Sequence, residues 1–62
     1  MNYKQRLQAY FDKHYGEYRN EVEWYVDPAP NKWKFKIPLL GLVITLTCND
    51  RGAVTKTWTK IN

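Results

Sequence analysis

Along residues 3–15 the apolar side chains recur with a helical spacing. Tyr3, Leu7, Tyr10, Phe11 and His14 share one face at a period of about 3.6 residues, while Lys4, Arg6, Gln8, Asp12 and Lys13 fill the other. Asn2 precedes this stretch as a good N-cap, and Gln5 stands at the reciprocal capping position. Lys13 and His14 lie in the last turn, where positive charge suits the helix dipole. Gly16 is expected to stop the helix in the left-handed conformation.

From Glu21 the period changes to two. Val22, Trp24 and Val26 alternate with Glu21, Glu23 and Tyr25; Trp33, Phe35 and Ile37 alternate with Lys32, Lys34 and Lys36. Leu42, Ile44, Leu46 and Cys48 alternate with Val43, Thr45 and Thr47, and a last strand runs from Ala53 to about Lys60. Breaks fall at residues 28–31, 38–41 and 50–52, the last with glycine where a three-residue hairpin loop needs it.

Those loops set the registers. They place Trp24 opposite Phe35, Val22 opposite Ile37, Val26 opposite Trp33, Phe35 opposite Ile44, Trp33 opposite Leu46 and Ile44 opposite Trp58. On the reverse face Glu23 meets Lys36, Asp27 meets Lys32, Thr45 meets Thr57 and Thr47 meets Thr55. A slip of one residue in any hairpin would mix the two faces, so the agreement predicts a four-stranded antiparallel meander. Its apolar face needs a cover, and the helix is the candidate. The predicted fold is therefore α+β, in the order α-β-β-β-β, as one small domain over residues 1–62. The helix is expected over Val22, Trp24, Trp33, Phe35, Ile37, Leu42, Ile44, Leu46 and Trp58. Lys56 and Lys60 flank Trp58 on that same side, which marks the last strand as an edge reaching past the helix.

Composition narrows the function more than it names it. At 62 residues with 44% hydrophobic and 16% aromatic content, the chain is a folded domain with a thin core. It holds no serine, one cysteine and one histidine, which excludes serine-nucleophile triads, disulfide scaffolds and all-Cys/His zinc sites. Cys48 and His14 form the one conceivable nucleophile–base pair, without a third group to orient the base; a buried structural cysteine and a boundary histidine fit these positions better. Glu21 and Glu23 share a strand face, where a solvated ladder with Lys36 fits better than an acid/base pair. No metal-ligand spacing and no glycine-rich phosphate loop occurs, so no metal, cofactor or enzymatic activity is expected. The longest apolar run, Ile37 to Ile44, is too short to span a membrane, and the lone cysteine makes a cytoplasmic setting the default expectation.

Two surfaces remain as candidates. Net charge is +4, and residues 32–62 carry six basic side chains against Asp50 alone. The outer sheet face would show Lys32, Lys34 and Lys36 beside Thr45, Thr47 and Thr57, a composition that can attract phosphate oxygens of nucleic acid. It would carry Tyr25 as its one outward ring, fewer than sheet readers of single strands use. The five tyrosines all lie within the first 25 residues, and Tyr15, Tyr18 and Tyr25 are the candidate partner-facing set. The leading expectation is a small non-enzymatic regulatory protein that docks on another protein, with nucleic-acid binding as the alternative. An accessory protein of a phage or other mobile element would fit that size and mode of action. Homodimerisation through an edge strand or an exposed face is a further option.

Overall fold

The computed structural model, which describes residues 2–26 and 29–61, begins with the expected helix, α1, over Tyr3–Tyr15. The Asn2 side-chain oxygen accepts from the Gln5 amide at 3.3 Å, satisfying an amide the first turn leaves free. Gly16 does not take the left-handed form. It sits at φ −57°, ψ −30°, and the chain tightens into a 3-10 turn over Gly16–Tyr18. The Tyr18 carbonyl then accepts from the Glu21 and Val22 amides at 2.8 and 3.0 Å.

That turn shortens the first strand. β1 spans Glu23–Tyr25 and is followed by β2 (Lys32–Ile37), β3 (Leu42–Cys48) and β4 (Val54–Lys60). They form one antiparallel sheet in the order β1-β2-β3-β4. The β2–β3 and β3–β4 registers are those the loops imply, including Phe35 opposite Ile44, Ile44 opposite Trp58 and Thr45 opposite Thr57. Between β1 and β2 the pairs are Glu23–Lys36, Trp24–Phe35 and Tyr25–Lys34. The expected Val22–Ile37 and Val26–Trp33 pairs are absent. The Val22 amide is already engaged by Tyr18, and Val26 has left the sheet and is wholly exposed. The expected Asp27–Lys32 pair lies outside the described residues.

Two turns set the hairpins. At Pro38–Gly41, the Leu40 amide donates to Ile37 and the Gly41 amide to Pro38, each at 3.1 Å, with Gly41 at φ +66°. At the other end of the sheet the Asn49 side-chain oxygen accepts from the Arg51 and Ala53 amides at 2.9 and 3.0 Å, and Gly52 takes φ +85°. Glycine carries no Cβ to oppose either conformation.

Helix α1 crosses the sheet obliquely. At its start the Tyr3 hydroxyl donates to the Asp50 carboxylate of the β3–β4 turn at 2.7 Å. Further along, the Phe11 ring lies 5.1 Å from Trp24 and 5.2 Å from Phe35, on β1 and β2. The core consists of Leu7, Phe11 and Tyr15 from the helix and Phe35, Ile37, Ile44, Leu46 and Cys48 from the sheet. Every buried strand residue therefore belongs to β2 or β3. A helix is about 10–12 Å across and the outer strands of a four-stranded sheet lie about 14 Å apart, so one helix on a diagonal leaves two corners bare. Trp24 and Trp58, expected beneath the helix, are 50% and 53% exposed for this reason. Among the described residues, no helix is long and apolar enough to cross a membrane.

Candidate functional site

The outer sheet face forms as its register requires. Lys32, Lys34 and Lys36 lie along β2, beside Thr45 and Thr47 on β3 and Thr57 on β4. The Lys36 ammonium is 3.5 Å from the Glu23 carboxylate, which removes part of its pull on an outside anion. The Lys34 ammonium lies over the Tyr25 ring, 5.2 Å from its centre, and the Thr55 hydroxyl donates to the Thr47 carbonyl at 3.4 Å. A shallow depression of about 340 Å³ is lined by Tyr25, Lys34, Thr45, Thr57, Trp58 and Thr59 among others. Among the described residues, Lys32 and Lys34 have no ion-pair partner.

Tyr15, Tyr18 and Tyr25, the tyrosines expected to face a partner, do not form one patch. Tyr15 is 8% exposed and packs edge-on to Phe35, with ring centres 5.6 Å apart; it is core. The sequence pattern favoured His14 for the inner stripe, whereas the buried row runs Leu7, Phe11, Tyr15 at successive i+4 positions, leaving His14 exposed against Tyr10 at 4.3 Å. Tyr18 is half-buried against the core, and its phenol is held above the ordinary value by desolvation and then by the nearby Glu17 charge. Tyr25 is exposed, but on the outer face beneath Lys34.

His14 and Cys48 do not meet. Cys48 is fully buried, its thiol turned to the Asn49 carbonyl at 3.5 Å, near the hairpin that receives Tyr3. His14 is almost at the other end of the helix, a rise of roughly 16 Å away. The Tyr3 phenol is held above its ordinary value, chiefly because its hydroxyl donates to Asp50 and then by that carboxylate's charge. Among the described residues, no group of three or more His, Cys, Asp or Glu side chains could hold a metal ion.

The bare corners hold the side chains that alternation puts on the helix side and that the helix does not cover. One is a cleft of about 570 Å³ near the β1–β2 connection, lined by Gln8, Trp24, Pro30, Lys32 and Trp33 among others. Trp24 there still touches the rings of Phe11, Phe35 and Trp33 at 5.1, 5.1 and 5.3 Å, so it belongs partly to the core. The other corner is β4 beyond Val54. Residues 55–60 are all exposed, and Trp58 stands between Lys56 and Lys60 on the helix side with no aromatic partner among the described residues. The two lysines were the signal for this in the sequence, because lysine at inner positions of a strand means that the cover has ended. Comparison of the chain with protein-family models, with curated proteins and with solved structures finds no match.

Proposed function

We propose that this chain is a small binding module that docks on a partner protein through the corner of the sheet beyond α1, with Trp58 as the anchor. The observation that carries the reading is Trp58 itself: a large ring, half exposed, on an open edge strand and outside the core cluster. Tryptophan dominates protein interfaces because it buries much area at little conformational cost, and such anchors are usually ringed by polar residues; Lys56 and Lys60 flank this one on the same face of β4. Affinity capture from cells that express the chain, comparing the native protein with Trp58→Ala, tests it. The expected result is a protein held through stringent washing by the native chain and lost by the variant; identical captures would contradict it.

A second reading has its own support, the assembly of Lys32, Lys34 and Lys36 with Thr45, Thr47 and Thr57 on one face. If that face binds single-stranded nucleic acid, log affinity should fall with log salt at a slope of about −2 for three lysines, and charge reversal at Lys32 and Lys34 should abolish binding. A flat titration against single- and double-stranded oligonucleotides at low salt would remove this reading.

A further inference from the structure

We propose that β4 is a strand-addition site for an extended acidic segment of the partner, in which an acidic, an apolar and a second acidic residue alternate. The proposal rests on the docking reading above and names the chemistry of what docks.

β4 pairs with β3 through all seven of its residues and, among the described residues, has no strand on its other side. Half of its backbone N–H and C=O groups therefore point outward along an edge of about 23 Å, a template for one more strand. β1, at the opposite edge, pairs through only three residues and offers a far shorter template.

The side chains select the occupant. Lys56, Trp58 and Lys60 lie on the helix side of β4, about 7 Å from one to the next. Neither ammonium is paired: among the described residues the one ion pair is Lys36 with Glu23. A strand laid against β4 presents its own alternate side chains at the same spacing, about 5 Å away. Carboxylates at its outer two positions meet Lys56 and Lys60, and an apolar side chain between them covers Trp58. Thr55, Thr57 and Thr59 line the reverse side, where β-branched neighbours pack well.

The same lysines disfavour a second copy of this chain. Two-fold pairing about Trp58 sets Lys56 against Lys60; two-fold pairing about Thr57 gathers four lysines on one side of the joined sheet with no carboxylate among them. Inward lysine on an edge strand opposes like-charged pairing and admits a partner of opposite charge, so one feature supplies both attraction and exclusion.

The test is selection of a displayed random heptapeptide library on the full chain, followed by synthesis of the enriched peptide. The expected consensus is acidic–any–apolar–any–acidic. The Lys56→Glu, Lys60→Glu double variant should bind that peptide at least about tenfold more weakly, since two attractive cross-strand pairs become repulsive. On the native chain, N-methylation of the peptide amides that face β4 should abolish binding, and N-methylation of the alternate amides should leave it intact; this arm needs no protein variant. A consensus without acidic residues, a consensus resembling β4 itself, or equal tolerance of both N-methylation patterns would overturn the proposal. If any of these occurs while Trp58→Ala still loses the captured partner, strand addition fails and docking stands. If capture is indifferent to Trp58→Ala, docking itself fails.

Discussion

Phe35→Ala is expected to leave the chain unfolded at room temperature. Phe35 is fully buried at the centre of β2 and lies within 5.1–5.6 Å of the rings of Phe11, Tyr15 and Trp24. Truncating such a residue costs about 3–5 kcal/mol through lost transfer free energy and the cavity left behind. A domain of this size has a total stability of about 3–5 kcal/mol, so the loss is comparable to the whole. Far-ultraviolet circular dichroism of the variant should show neither helix nor sheet. Leu39→Ala, at an exposed turn position, should keep the native spectrum and, in urea melts, an unfolding free energy within about 0.5 kcal/mol of the native chain's. A folded Phe35→Ala protein would mean that the core is not where the structure places it.

Trp58→Ala should do the reverse, sparing the fold and removing the function. Its ring makes no aromatic contact among the described residues, so stability should fall by no more than the spread of strand propensities, about 1 kcal/mol. Binding of the captured partner should fall about 30-fold or more, the effect of losing an interface anchor worth about 2 kcal/mol. Trp24→Ala separates the two effects. Trp24 is as exposed as Trp58 but touches three rings, each contact contributing about 0.5–1.5 kcal/mol. Its truncation should lower the unfolding midpoint clearly more than that of Trp58. Paired urea melts and affinity measurements on the three proteins give the comparison; equal stability losses at the two tryptophans would contradict the assignment of Trp24 to the core and Trp58 to the interface.

Strand registers are legible in this sequence because each is fixed by a turn and checked by its faces. Asp50-Arg51-Gly52 sets β3 against β4, and the Thr45–Thr57 and Ile44–Trp58 pairs follow. What alternation does not carry is the extent of the cover. It assigns Trp24 and Trp58 to the helix side correctly, but whether a helix reaches them depends on its width and its diagonal path, which is set by distant contacts such as Tyr3 with Asp50 and Phe11 with Trp24. Tyr15 shows the same limit. An i+4 row and an i+3 neighbour differ by one position after several turns, and packing against Phe35 decides for Tyr15 over His14. Local side-chain bonds were also beyond the pattern: Asn31 donates to the Cys48 carbonyl at 3.1 Å, tying the β1–β2 connection to the end of β3, and Asn49 braces the last hairpin. The lysines beside Trp58 were readable from the start as the mark of an edge; that the ring between them is itself uncovered emerges only from the crossing of the helix.

Amide hydrogen exchange along β4 in the free protein is the most direct measurement of whether this edge is open. The open edge predicts alternation from Thr55 to Lys60: slow exchange at amides bonded to β3, and fast exchange at those facing outward, while Phe35 and Ile44 in β2 and β3 are protected without alternation. Uniformly slow exchange through Lys60 would mean that the edge is already occupied in solution, and would contradict a docking site there.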